Sequence, residues 1–352
     1  MLCRNGSMFY PMVSDPSAGH LGAAAPAAAQ SPSYSPVKVG LVGAGQWAAT
    51  MHAPLHTAGM ETELVGVWSA SGSSAARLAG RHGVPAFDTF EALLASCEAV
   101  DFAVPPDVQA ELAPRAADAG LALLLEKPLG TSLAQAVAVA DAVRRNGVAN
   151  AVVLTKRYHR RTRTFLADAA ALRKESPVLG LTGTYLHGGF LDGGFLGGGF
   201  PGRAVRGRRD WRTEYGALYD LGPHLLDLMD LAAGSIDAIR ADGTRDYMAL
   251  TTSHAGGATG QASLSGSVQL PSARTRLSVY SPAGTLDYTT EGMDHSECWP
   301  VLRREFADAV RLGTAVTADA ERALQIQAMV ETAALSVREQ RTVAVAAVLG
   351  TR

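Results

Sequence analysis

A glycine-rich turn directly after an apolar strand is the feature that most constrains the fold of this chain. Val37–Val42 is a short apolar run, typical of a strand buried on both faces, and the pattern G-x-G-x-x-A follows it. The first glycine permits a tight turn, the second lets backbone approach a pyrophosphate, and the small third position allows close helix–strand packing. We predict a dinucleotide site here, with a purely structural turn as the alternative. The predicted cofactor contacts are Gly43, Gly45, Gln46, Trp47 and Ala48.

The segments after this turn repeat the alternation of strand and helix. Further apolar runs predict strands at 64–68, 100–104 and 121–125, and Val148–Leu154 is expected to close the series. The intervening helices are predicted at about 46–58, 74–82, 88–96, from 107 onward, and 132–147, with capping boxes at Asp88/Glu91 and Ser132/Gln135. Such alternation with short loops indicates a parallel, doubly wound sheet over residues 37–155.

After Thr155 the pattern becomes that of a second, α+β domain, predicted over 156–345. A basic helical stretch at 157–173 precedes an apolar run at 178–186, and a glycine-rich run occupies 187–202. The remaining elements are predicted as a helix at 217–232, strands near 236–242, 246–252, 259–269 and 274–280, and helices at 300–312 and 318–338. Their turn-rich spacing predicts an open, mostly antiparallel sheet, so the fold class is α/β with two domains.

Residues 1–36 differ from the rest of the chain. They are rich in Ala, Pro, Ser and Gly, and Arg4 and Asp15 are their only charges. We predict a disordered leader and a fold that begins at Val37. An export signal with cleavage near Ala27–Ala29, or a misplaced start codon, is the alternative.

The composition limits which binding partners and which cellular compartment we expect for this chain. Lys and Arg total 31 against 33 Asp and Glu, without a polybasic run, so we predict neither a nucleic-acid partner nor a membrane surface. Apolar runs stay below the 18 residues that would indicate a transmembrane helix. Cys3, Cys97 and Cys298 follow no metal-binding spacing, which favours a reducing, cytoplasmic compartment and no disulfide framework.

The end of the second strand bears on the choice of cofactor. An acidic residue there would hold the ribose 2′-hydroxyl and repel a 2′-phosphate, but the run ends at Ser69. A serine-rich loop follows, and Arg77 lies one turn into the next helix. These groups would accept a 2′-phosphate, so we predict NADP in preference to NAD. The alternative is that Ser73 or Ser74 only caps the helix.

Two further motifs carry a family resemblance. The apolar run at 121–125 leads directly into Glu126-Lys127-Pro128, and the motif Asp-Leu-Gly-Pro-His at 220–224 lies in the helix at 217–232. With the glycine turn and the domain order, these motifs make residues 37–345 resemble the glucose–fructose oxidoreductase/inositol 2-dehydrogenase (Gfo/Idh/MocA) family. The resemblance implies a Rossmann domain that binds NAD(P). It also implies a second domain that binds substrate and forms homodimers or homotetramers.

The resemblance also implies roles for individual residues. Lys127 would lie beside the nicotinamide and hydrogen-bond the reacting oxygen, His224 would be the acid/base, and Asp220 would be its carboxylate partner. The Lys127–Pro128 bond would be cis, and Gln109 departs from the family's P-x-x-x-H stretch. Further cofactor contacts are predicted at Pro105, Glu126 and Lys127, and substrate contacts at Arg157, Tyr158, Trp211 and Arg212.

The chemistry of these residues supports the same interpretation. Oxidation of a secondary alcohol needs a base for the hydroxyl proton and a cation for the developing alkoxide, which suit His224 and Lys127. The chain has four lysines in all, yet one of them stands at this strand end. Structural alternatives stay open: a backbone-satisfied histidine, a helix-dipole role for Asp220 and a surface lysine.

We predict an NAD(P)-dependent oxidoreductase acting on a sugar, cyclitol or related polyol. The alternatives are a non-redox NAD(P)-binding regulatory protein and an NAD-dependent glycoside-cleaving relative. His52 and His56 have metal-like i, i+4 spacing, but we expect no metal site because no carboxylate or cysteine stands nearby in the sequence. The glycine-rich run is either a closing lid or a plain connection, and the arginines at 203–209 are either solvated charge or a phosphate contact.

Overall fold

The computed structural model of this chain describes residues 34–191 and 211–350. The predicted leader up to residue 33, most of the glycine-rich run and the arginines at 203–209 lie outside the described residues.

The first sheet is parallel and has five strands, one at each predicted apolar run, in the order β2-β1-β3-β4-β5. These strands are β1 (Val37–Val42), β2 (Thr62–Trp68), β3 (Ala99–Phe102), β4 (Ala122–Leu125) and β5 (Asn150–Val152). The four-residue strands β3 and β4 are buried throughout, and all of their residues except Asp101 in β3 are apolar. The carboxyl ends of β1, β3 and β4 meet at one edge, where doubly wound sheets bind ligands.

Helices connect these strands as the alternation predicts. They are α1 (Ala53–Thr57), α2 (Gly72–His82), α3 (Phe90–Leu94), α4 (Pro106–Asp118) and α5 (Leu133–Asn146). The expected cap at Asp88 is wrong, because the Thr89 side chain accepts the amide of Ala92 and starts α3 instead. The cap at Ser132 is confirmed by its bond from the Gln135 amide, 3.3 Å long.

The described fold begins before Val37. The Tyr34 hydroxyl donates to Asp308, and the Arg311 guanidinium donates to the carbonyls of Ser35 and Pro36. Residues 34–36 therefore pack on a helix near the other end of the chain, which a local pattern cannot reveal.

The second sheet has seven strands in the order β11-β10-β6-β9-β8-β7-β12. Among the described strands of this second sheet, only β6 and β9 pair in parallel. They are β6 (Gly180–Leu186), β7 (Ile236–Gly243), β8 (Tyr247–His254), β9 (Thr259–Ser265), β10 (Arg274–Ser281), β11 (Gly284–Thr289) and β12 (Val343–Ala344). The mostly antiparallel character is thus confirmed. In β8 every second residue is exposed, so one face of this sheet is open to solvent.

The remaining helices pack against the other face of this sheet or against the first sheet. They are α6 (Arg160–Glu175), α7 (Trp211–Ala233), α8 (Cys298–Leu312), α9 (Ala320–Glu339) and α10 (Val345–Leu349). One apolar cluster runs through both halves and includes Leu123, Val139, Leu226 and Leu250. No helix in the described ranges has the length and apolar character needed to cross a membrane.

A break divides α7 just before the Asp220–His224 motif. Gly216 has φ 70°, and a Cβ there would lie 2.7 Å from the Arg245 carbonyl oxygen. The amide of Ala217 donates to the same carbonyl at 3.0 Å. Only glycine fits this turn, which sets the direction in which the motif enters the site.

Candidate active site

The glycine turn has the geometry that a dinucleotide site requires. Gly43 has φ 112°, and a Cβ there would lie 2.3 Å from the Ala103 carbonyl, so a side chain cannot be accommodated. Gly45 is exposed, with no atom within 4 Å of the position of a Cβ. Gln46 is exposed beside it, and Ala48 is buried against the sheet. The open space in front of Gly45 is where backbone can approach a pyrophosphate.

The helix after the turn begins as a π-helical turn, Ala48–His52, which carries side chains to the end of β4. The Trp47 indole donates to Glu126 Oε1 at 2.7 Å, and His52 Nε2 lies 3.1 Å from the same oxygen. The Lys127 amide donates to the other carboxylate oxygen at 3.0 Å. The glycine turn and the Glu-Lys-Pro segment are therefore one hydrogen-bonded unit.

His52 and His56, for which no nearby carboxylate was expected, share one buried carboxylate. His52 Nδ1 lies 2.9 Å from Asp101, and His56 Nε2 lies 3.0 Å from it, with all three side chains fully buried. Burial opposes charge on His52, but Asp101 and Glu126 outweigh it and raise the pKa of His52 to about 10. The expectation of no nearby carboxylate was therefore wrong. An aspartate inside an apolar strand was the available signal, because a buried charge needs a partner.

No group of three or more metal-ligating side chains forms within 34–191 and 211–350. The histidine–aspartate network is a buried set of ion pairs beside the first sheet.

Gln109, the residue that departs from the family's P-x-x-x-H stretch, hydrogen-bonds to the backbone of Glu126. It is fully buried, its amide nitrogen donates to the Glu126 carbonyl at 2.8 Å, and its oxygen accepts the Glu126 amide at 2.7 Å. The side chain therefore clamps the backbone just before the Lys127–Pro128 bond, which is cis as expected.

Lys127 and Asp220 meet although 93 positions separate them. The Lys127 ammonium donates at 2.8 Å to the Asp220 carboxylate and at 2.8 Å to the Asp220 carbonyl. The Arg212 Nε lies 3.4 Å from the same carboxylate. Burial raises the pKa of Asp220, but Lys127 and Arg212 outweigh it and hold that pKa well below its ordinary value. Asp220 is an anion that fixes two cations.

His224 is a buried imidazole beside this ion pair. Burial, followed by the charges of Lys156 and Lys127, holds the pKa of His224 well below its ordinary value. None of the described residues hydrogen-bonds its ring. The i, i+4 contact expected between Asp220 and His224 is not formed, because the Asp220 carboxylate is taken by Lys127. A neutral imidazole of this kind can accept a proton.

Lys127, Asp220, Arg212 and His224 form a cluster of side chains, called the cluster below. Sequence reasoning missed three further members of it. The Lys156 ammonium lies 3.8 Å from the centre of the Tyr185 ring, and Tyr185 also packs edge-on against His224 and His187. The Gly189 amide donates to His187 Nδ1 at 2.8 Å. Burial lowers the pKa of His187 to about 4; Asp220 opposes this shift, and Lys156 and Lys127 add to it. The scarcity of lysine was the signal that could have marked Lys156.

The predicted substrate residues divide into two groups. Arg212 reaches the cluster and stacks 4.5 Å from the Trp211 ring. Arg157 instead pairs with Asp227 at 3.0 Å, and Tyr158 is buried, with its hydroxyl donating to the Val152 carbonyl at 3.0 Å. The structure therefore does not bring Arg157 and Tyr158 to the cluster. Lys156, the residue directly before them, occupies that place.

The loop after β2 presents a cluster of donors at the start of α2. The Ser71 hydroxyl lies 3.3 Å from that of Ser73 and 3.1 Å from that of Ser74, and Arg77 donates to Ser74 at 3.3 Å. The Ser71 amide donates to the Ser69 hydroxyl at 3.4 Å. Pro105, at the end of β3, is exposed at the same edge of the sheet. None of the residues from Ser69 to Arg77 is acidic.

Comparison with known proteins now identifies the family. The NAD-binding Rossmann fold of the GFO_IDH_MocA oxidoreductase family matches residues 37–154, and the GFO/IDH/MocA C-terminal domain matches residues 194–287. The chain belongs to the Gfo/Idh/MocA family.

Individual relatives agree with this assignment. A levoglucosan dehydrogenase of Pseudarthrobacter phenanthrenivorans is 29% identical over 149 residues, which cover 40% of this chain and 34% of that protein. The match thus spans about a third of the length of that relative. The crystal structure of GenD2 from gentamicin A biosynthesis, in complex with NAD, has a TM-score of 0.77 at 22% identity and covers 89% of this chain and 97% of its own.

A levoglucosan dehydrogenase in complex with NADH and L-sorbose has a TM-score of 0.73 at 18% identity, covering 88% of this chain and 98% of its own. At these identities, the two structures support the two-domain fold of the Gfo/Idh/MocA chain.

Proposed function

We propose that this chain is an NAD(P)-dependent oxidoreductase that moves a hydride between a nicotinamide nucleotide and a secondary alcohol or ketone of a sugar, cyclitol or related polyol. The observation that carries the proposal is the Lys127 ammonium, held at 2.8 Å by the Asp220 carboxylate beside the neutral imidazole of His224. This set contains the cation and the base that alcohol oxidation requires.

The cofactor would lie along the edge formed by β1, β3 and β4. The open space at Gly45 fits a pyrophosphate, and the Trp47–Glu126 hydrogen bond ties that turn to the reacting end of the site. A bound nicotinamide nucleotide supplies the hydride acceptor, or the hydride donor in the reverse direction. The residues proposed to hold it are Gly43, Gly45, Gln46, Trp47, Ala48, Ser69, Arg77, Pro105, Glu126 and Lys127.

Each side chain of the cluster has a separate role toward the substrate. His224, uncharged at neutral pH, takes the hydroxyl proton during oxidation and returns it during reduction. Lys127 hydrogen-bonds the reacting oxygen and stabilises the negative charge that develops on it. Asp220 keeps Lys127 oriented, and Arg212 and Trp211 form a wall of the substrate pocket.

NADP is the cofactor favoured by the loop after β2. The hydroxyls of Ser71 and Ser74 and the guanidinium of Arg77 form one donor cluster at the start of α2. A helix N-terminus with an arginine is suited to a 2′-phosphate, and no carboxylate stands in this loop to repel it.

We propose that the protein acts as a homodimer or homotetramer in the cytoplasm. The open face of the second sheet carries Tyr247 and Tyr280, 49% and 40% exposed, with hydroxyl partners on neighbouring strands. A flat face that includes large apolar rings is suited to a second copy of the same surface. Light scattering on a size-exclusion column tests this, and a monomer at micromolar concentration would contradict it.

A substrate screen tests the activity. We expect NADP⁺-dependent oxidation of at least one member of a panel of sugars, cyclitols and alditols. Lys127→Ala should abolish turnover while NADPH fluorescence still reports binding, and Lys174→Ala, an exposed lysine on α6, should leave turnover unchanged. Turnover unchanged in both Lys127→Ala and His224→Ala would refute the assignment. NADPH bound without reduction of any substrate would favour the non-redox alternative.

A further inference from the structure

Lys156 is a buried lysine, and burial lowers the pKa of its ammonium to about 7. It is 5% exposed, and its ammonium faces the Tyr185 ring at 3.8 Å. Within residues 34–191 and 211–350 no carboxylate lies within 4 Å of this ammonium, and no hydrogen bond leaves it. A buried lysine in this situation is costly unless something else neutralises or solvates it.

The neighbouring charges do not supply the missing anion. Asp220 is the carboxylate of the cluster, but Lys127 already takes it through a 2.8 Å ion pair. His187 and His224 are held neutral by burial and by the two lysines. Lys156 and Lys127 repel each other across this space. The cluster therefore holds two lysines and one carboxylate that is already paired, so a further anion beside Lys156 would restore the charge that burial disfavours.

We propose that Lys156 binds a carboxylate of the substrate, so that the preferred substrates are sugar acids such as hexuronates or aldonates rather than neutral polyols. This inference rests on the proposed oxidoreductase function and names its substrate class. A substrate carboxylate at Lys156 would place the rest of a short sugar chain toward Lys127 and His224, because all three groups face the same cluster. The charge-assisted bond would form only with the acid and would be absent for its neutral counterpart.

Matched ligand pairs test the proposal on the full-length protein. D-glucuronate and D-glucose, and D-gluconate and D-glucitol, are titrated by calorimetry into protein saturated with NADPH, where an alcohol cannot be oxidised. We expect each acid to bind at least about tenfold more tightly than its neutral counterpart, the size expected for a hydrogen bond to a charged group.

Variants then assign the preference to one side chain. Lys156→Gln should remove the preference for the acid and raise its KM while affecting kcat less, and Lys156→Arg should retain most of it. Lys174→Gln is the matched control on an exposed lysine and should change neither. NADPH binding and circular dichroism check that each variant is folded.

The outcomes separate this inference from the proposed function. Equal affinity for acid and neutral ligands in the wild type overturns the inference without any variant, as does a preference that survives Lys156→Gln. Oxidation of a neutral polyol that depends on Lys127 would uphold the oxidoreductase function in that case. Tight acid binding that depends on Lys156, with no turnover of any substrate, would support the anion site and overturn the oxidoreductase function.

Discussion

Lys127 donates both to the carboxylate and to the backbone carbonyl of Asp220, each at 2.8 Å. The double contact joins the end of β4 to the first residues of α7 after its break at Gly216. Two acceptors, the carboxylate and the carbonyl, therefore orient the ammonium. Because the carboxylate pairs with Lys127, it does not pair with His224. The His224 imidazole beside this pair is uncharged, because burial, followed by the charges of Lys156 and Lys127, lowers its pKa.

Replacing the carboxylate should damage catalysis more than binding. Asp220→Asn keeps the shape but removes the charge that pairs with Lys127, so we expect kcat to fall at least about a hundredfold, or about 2.7 kcal/mol in the barrier. The dissociation constant for NADPH should change little. Steady-state kinetics and fluorescence titration measure the two quantities. Asp237→Asn, an exposed aspartate on β7, is the control, and an equal loss of kcat in both variants would contradict the role of Asp220.

His187 should make the protein sensitive to acid. Burial first, then Lys156, lowers the pKa of His187 to about 4, whereas the unfolded chain has an ordinary histidine pKa near 6.5. A lowered folded pKa gives stability that is present above pH 6.5 and is lost as the pH falls toward 4, at up to about 1.4 kcal/mol per pH unit. Denaturant unfolding at pH 7 and pH 5 should show a smaller loss for His187→Gln. The half-exposed His82, changed to Gln, is the control and should keep the wild-type loss.

Removing His52 should destabilise the fold. His52→Ala leaves Asp101 buried with only His56, and breaking a buried ion pair from one side costs about 3–5 kcal/mol. Urea unfolding measures this, with Thr50→Ala on the same turn as an exposed control. Because the pKa of His52 is raised to about 10, its stabilisation is full below pH 6.5 and is lost as the pH rises toward 10. A change below about 1 kcal/mol at pH 7 would show that the pair contributes little.

Arg77 should select between the two nucleotides. Arg77→Ala removes the guanidinium proposed to meet a 2′-phosphate, so the affinity for NADPH should fall about tenfold while that for NADH stays constant. Arg81→Ala, at the far end of the same helix, controls for loss of surface charge. Ser69→Asp should shift the preference toward NADH. Tighter binding of NADH by the wild type, unaltered in Ser69→Asp, would contradict the 2′-phosphate argument.

Much of the architecture could be predicted from local patterns. The apolar runs, the glycine turn and the cap at Ser132 each depend on residues a few positions apart, so they are legible in the sequence. The edge strands were harder to define. β11 and β12 were not predicted: β12 has two residues and pairs with the distant β7, whereas β11 forms a hairpin with β10.

The site, like the fold, could be predicted only in part from the sequence. The sequence alone determined that a lysine follows a buried strand and that an Asp and a His lie one helical turn apart, because these are matters of spacing. Only the tertiary structure decided that Asp220 pairs with Lys127 rather than with His224, and that Asp101 joins His52 to His56. It also decided that Lys156, not Arg157 or Tyr158, faces the cluster. Each choice depends on which charges remain unpaired once distant segments pack together, and the energy of a buried charge is set by those neighbours rather than by its position in the chain.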